Sequence, residues 1–210
     1  MEKGHLICLS FVGVLKQPLT VIPNIDNKFS RDLFSIPYET FNGLTPEGYT
    51  IALNNKAFPM VVINPTKIIV KADNKDSLIK YVEAIKGELA RINVPVSLPA
   101  FGINSEYQWL GLDDNADTWL WNHFINKGIT TGNEYHVCNK LNLRIGINDH
   151  QLVNIELEPR MGNRNGVFAN INHHHNIILD ELPNSELLNK YIEESDATIN
   201  SEIIAKIIEN

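Results

Sequence analysis

Alternation of apolar and polar residues divides the chain into short strands, and two stretches with helical spacing interrupt them. Leu141, Leu143, Ile145 and Ile147 point one way while Asn142, Arg144 and Asn148 point the other, and Val153, Ile155 and Leu157 oppose Asn154, Glu156 and Glu158. A hairpin through residues 161–166 leads to a third strand at 167–175. Earlier in the chain, residues 49–53, 60–64 and 67–72 are rich in Val and Ile, and Asn64, Pro65 and Thr66 supply a tight turn. Residues 76–92 place Leu78, Val82, Ile85 and Leu89 on one helical face, and a second helix starts near Ser185. A short helix capped by Asp117 buries Leu120, Trp121, Phe124 and Ile125. Residues 201–209 predict a separate terminal helix with an apolar stripe of Ile203, Ile204, Ile207 and Ile208.

The order of these elements is the same twice. Each half opens with one apolar strand, at 9–15 and at 98–110, then gives three strands and a helix. Leu9, Gly13 and Val14 align with Leu98, Gly102 and Ile103, and Leu78, Lys80, Tyr81 and Val82 align with Leu188, Lys190, Tyr191 and Ile192. The expected fold is therefore α+β, with pseudo-duplicated β-(α)-β-β-β-α repeats forming one largely antiparallel, saddle-like sheet of about eight strands and helices on one face. Residues 1–94 form the first repeat, including a Pro-rich surface excursion at 18–48. Residues 95–198 form the second, and 199–210 the C-terminal helix. In plan this resembles duplicated saddle folds such as that of the TATA-binding protein, a resemblance that implies shape and no activity.

Charge separates the chain from that protein's DNA-binding role. Acidic residues outnumber basic ones and the formal charge is −7, so nucleic acid is not the expected partner. Cys8 and Cys138 both sit in apolar runs, as buried free thiols do, which points to a reducing compartment. The apolar run at 6–15 is short and is followed by Lys16, Gln17 and Pro18 rather than a cleavage site, so it reads as a strand. No apolar run reaches the roughly 20 residues that span a bilayer. The expectation is a cytoplasmic protein without a membrane segment.

Candidate chemistry is sparse. The sequence has no Walker motif, dinucleotide fingerprint, nucleophile elbow, CxxC or HExxH, so no cofactor is expected. The wet face of the second half gathers Arg144, Asn154, Glu156, Glu158, Asn170, Asn172 and His174, a mixture of donors and acceptors with one imidazole. Within it His174, Glu156 and Arg144 are the candidate catalytic residues. His173 and His175 fall on the other side of the same strand, where a pair at i and i+2 could ligate a transition metal if carboxylates came from neighbouring strands. Trp121 is expected in the core, and Trp109 and Trp119 are the candidates for exposure.

Two functions follow from these residues. The first is a non-catalytic binding or assembly subunit that holds a protein partner, or a second copy of itself. It would use Arg144, Asn154, Glu156, Asn170, Asn172 and His174 on the open sheet face, the Pro-rich loop, or the terminal isoleucines. The second is a small hydrolase or metal-dependent enzyme centred on His173, His174 and His175.

Overall fold

The alternating runs become one antiparallel sheet. In chain order its strands are β1 (His5–Val14), β2 (Thr40–Thr45), β3 (Gly48–Leu53), β4 (Met60–Ile63), β5 (Lys67–Ala72), β6 (Ala100–Trp109), β7 (Leu141–Asn148), β8 (Gln151–Pro159) and β9 (Val167–His175). Their spatial order is β2-β3-β4-β5-β1-β6-β9-β8-β7, and all neighbouring pairs run antiparallel. This is a computed structural model, and it describes residues 4–21, 23, 25–35, 39–54, 56–125 and 137–208, with the side chains of Glu202 and Ile207 outside that description.

Among the described residues four α-helices complete a mixed α+β architecture: α1 (Asn27–Asp32), α2 (Lys75–Arg91), α3 (Ala116–Leu120) and α4 (Ser185–Thr198). The two long ones start in the same way. Asn74 accepts a hydrogen bond from the Ser77 amide at 2.9 Å, and Asn184 accepts one from the Leu187 amide at 2.9 Å, which satisfies a backbone donor that the first turn leaves open. Helix α2 packs on β1, β5 and α4, while α4 packs on β6, so both cover one face of the sheet. Leu9, Phe11, Ile68, Val70, Phe101 and Ile103 point into that layer, where Leu78, Tyr81, Leu188 and Tyr191 meet them.

Four expectations are corrected by the fold. Among the described residues the sheet has nine strands, because the Pro-rich excursion contains β2, joined to β3 by a two-residue turn at Pro46 and Glu47. Gly48 closes that turn at φ 134°, and a Cβ there would stand 2.5 Å from the Ile63 carbonyl oxygen, so only glycine fits. The terminal segment is no separate helix: α4 runs directly into a wide, π-type helix at Ile199–Ile208. Its buried Ile199, Ile203, Ile204 and Ile208 recur at intervals of four and five, which suits i to i+5 turns better than the three-and-four spacing of α4. They pack with Trp109, Val153 and Leu157 in a second core cluster, so Ile203, Ile204 and Ile208 are not available to a partner. The Ile207 side chain and residues 209–210 lie outside the described residues.

The third correction is to the aromatic residues. Trp109 is fully buried, whereas Trp121 is only half-buried, at the margin of the second cluster. The last concerns the alignment of the opening strands. A Cβ on Gly13 would meet Leu98 and Phe11, on the helix side, while one on Gly102 would meet the Asn172 amide, on the open side. The two glycines face opposite ways, so that part of the alignment is one residue out of step.

Candidate functional site

The face of the sheet away from the helices is open, and the register brings its side chains into rows. One row crosses all nine strands: Phe41, Ala52, Met60, Lys71, Ser10, Asn104, Asn172, Asn154 and Arg144. Its centre and far end form a chain of side-chain amides. Asn154 donates to Asn172 at 3.5 Å, and Asn172 donates to Asn104. Gly102 makes room for this, since a Cβ there would stand 2.5 Å from the Asn172 Nδ2. The guanidinium of Arg144 ends the row and has no ion pair with a described residue.

The next row carries Cys8, Glu106, Asn170, Glu156 and Asn142. Lys71 reaches across to Glu106 at 3.0 Å, and Lys140 pairs with Glu156 at 2.6 Å. Together the two rows enclose a shallow depression of about 290 Å³, lined by Asn142, Arg144, Asn154, Glu156, Asn170 and Asn172 among others. Five of the expected binding residues therefore share one concavity. His174 lies on the same face but outside it, with Nε2 2.9 Å from Asn176 Oδ1.

The expected catalytic set does not converge. Glu156 lies opposite Asn170, and His174 is four residues further along β9, a separation of roughly 13 Å at the rise of an extended strand. No proton passes directly over that distance. Cys8, on the same face, is no substitute nucleophile, because burial and then the nearby Glu106 push its thiol up to about 11.

His173 and His175 point the other way, into the layer under α4, and neither is exposed. Their rings lie 4.3 Å apart, and that of His175 stacks on Phe101 at 4.7 Å. The hydroxyl of Ser195 lies 3.0 Å from His173 Nδ1 and 3.3 Å from His175 Nε2. The neighbours assign the hydrogens. Gln151 donates through its amide nitrogen to Glu194, and the same nitrogen lies 3.4 Å from His175 Nδ1. A carboxylate accepts only, so His175 Nδ1 is an acceptor and its Nε2–H donates to Ser195, whose own hydrogen goes to His173 Nδ1. The chain of bonds ends at His173 Nε2, a buried donor with no partner among the described residues.

Burial holds both imidazoles neutral, lowering His173 and bringing His175 down to about 3. The arrangement ties α4 to β8 and β9. Carboxylates from neighbouring strands, which a metal site would require, are not beside these rings; among the described residues no three His, Cys, Asp or Glu side chains gather to hold an ion.

Asn104, Asn142, Glu106 and Lys71 belong to the open-face site although the candidate set omits them. The alternation of Ile103, Asn104, Ser105 and Glu106 carries the signal for two of them, but only register shows that they adjoin Asn172 and Asn170. Comparison of the chain with family models and with curated proteins gives no match. Among the described residues no helix is long and apolar enough to cross a membrane.

Proposed function

We propose that this protein is a non-catalytic binding or assembly subunit that holds a protein partner against the amide-lined end of its open sheet face. The observation that carries this reading is the row of Asn104, Asn172 and Asn154 ending at Arg144 without an ion-pair partner among the described residues. Primary amides both donate and accept, so such a row matches peptide groups and polar side chains, and a guanidinium at its end selects an acidic group. We also read the two halves as copies of one unit, supported by the mirrored strand order about β1 and β6 and the equal caps of α2 and α4. The hydrolase or metal-enzyme reading has less support, because His173 and His175 face the core and His174 stands apart from Glu156.

The test is affinity capture from the native host with the wild-type chain and with Arg144→Glu, followed by intact mass measurement of the complex. The expected result is a stoichiometric partner that the variant loses while its unfolding transition is unchanged. Equal recovery by both proteins, or no partner at all, would count against the amide face.

A further inference from the structure

Glu156 stands between two cations on the open face. The register of β7 and β8 sets Asn142 opposite Glu156 and Arg144 opposite Asn154, and alternation turns all four side chains the same way. Arg144 is thus a diagonal neighbour of Glu156, roughly 7–8 Å away along the backbone and within reach of a long side chain. Lys140 lies two residues before Asn142, on its other side. It is Lys140 that holds the carboxylate, with Nζ 2.6 Å from Glu156 Oε1, while Arg144 makes no ion pair with a described residue.

The competition between the two cations is close. Lys140 and Glu156 keep 47 % and 38 % of their side-chain surface exposed and Arg144 is exposed as well, so neither pairing is worth much. A guanidinium can also grip a carboxylate through two parallel bonds, which an ammonium cannot. What favours Lys140 is placement. It sits just before β7 on a segment fixed to α3, where the Cys138 amide donates to the Asp117 carbonyl at 3.0 Å and the Cys138 thiol donates to the Lys140 carbonyl at 3.4 Å. Arg144 is the only cation lining the depression that Glu156 also lines. A carboxylate released by Lys140 therefore has one new partner at hand.

We infer that Lys140 is a positioning residue, which keeps the Arg144 guanidinium open by holding Glu156 away from it. Loss of the Lys140 charge lets Glu156 cross to Arg144, cancel its charge and fill the concavity from within. Acetylation of Lys140, which removes the ammonium charge, acts in the same way. The consequence for binding rests on the reading of this face as the recognition surface, whereas the exchange of partners does not.

Phenylglyoxal, which reacts fastest with a guanidinium that no carboxylate holds, decides it, with the rate at Arg144 read by peptide mass in the full chain. Lys140→Gln is expected to slow modification of Arg144 by roughly threefold or more. Lys140→Arg should keep the wild-type rate, and Glu156→Gln added to Lys140→Gln should restore it. Glu156→Gln alone should leave the rate near that of the wild type, because the carboxylate is not on Arg144 to begin with. Equal rates in the wild type and Lys140→Gln overturn the inference. So does a Glu156→Gln chain that speeds up as much as Lys140→Gln slows down, since that marks a through-space field rather than an exchange of contact. If the rates follow the expected order and a partner captured by the wild type is recovered equally by Lys140→Gln, the positioning role stands and the recognition reading fails.

Discussion

One row of side chains crosses the open face of the whole sheet, and it changes character at its centre. On the β2 side it reads Phe41, Ala52, Met60 and then Lys71 and Ser10, with Val62 and Ile69 in the row beside it; on the β7 side it reads Asn104, Asn172, Asn154, Arg144. The helix-facing side shows the same contrast at one place. The inward residues of β5 are Ile68, Val70 and Ala72, all apolar, while β9 ends in His173 and His175. Strand order outward from the central pair is alike on both sides for four strands, and β2 is the extra one. Topology thus sets where side chains stand but leaves their chemistry free.

The largest effect expected from this contrast follows truncation after Thr198. The second half then loses Ile199, Ile203, Ile204 and Ile208 from its core, each worth roughly 1.5–3 kcal/mol when fully buried. Denaturant titration should show a broad or early transition confined to the second half, with β1 to β5 retaining slow amide exchange. A single undisturbed transition would mean that the two clusters are one unit.

Acid comes next, and it should act on the same half. In the unfolded chain a histidine takes up its proton near pH 6.5, but native His175 does so only at about 3. Between these values the unfolded state binds more protons, so stability is complete above about pH 7 and falls as pH is lowered, by up to about 1.4 kcal/mol per pH unit for each histidine. Replacing both with apolar residues, as His173→Val and His175→Leu, should flatten that slope. A slope unchanged in the double variant would assign the acid response to other groups.

Gly102→Ala sharpens the comparison on the open face. Its Cβ would displace the Asn172 amide and break the chain to Asn104 at a cost of about 1–2 kcal/mol, with partner capture reduced more than stability. Equal capture by the variant would remove the amide row from the recognition argument. Smallest of all should be the loss of the partly exposed pair of Lys71 and Glu106, where a double-mutant cycle is expected to return less than about 1 kcal/mol.

Much of this was legible in the residues. The inward set of β8 and β9 follows from alternation, and the stripe on α2 from helical spacing, because burial on one face writes a period into the sequence. Strand β2 is hidden because its short run is broken by Asn42 and Gly43 and lies among prolines, and an edge strand with little buried on either face has no period to show. The depth of Trp109 could have been read by continuing the parity of Phe101, Ile103 and Tyr107 along β6. The amide row could not, since adjacency across strands depends on register and leaves no local trace. Ile199 to Ile208 reads as a separate helix only when three-and-four spacing is imposed on it.

The chain of bonds from Gln151 to His173 runs in one direction, and that has a spectroscopic consequence. Both imidazoles carry their hydrogen on Nε2, and neither ring meets solvent. Their ring protons should exchange slowly enough to give two resolved nitrogen-bound proton signals, well away from those of surface histidines. The His173 signal, with no acceptor beside it among the described residues, should lie upfield of its neighbour's. Two atoms thus report whether α4 is seated on the sheet, without any label being introduced.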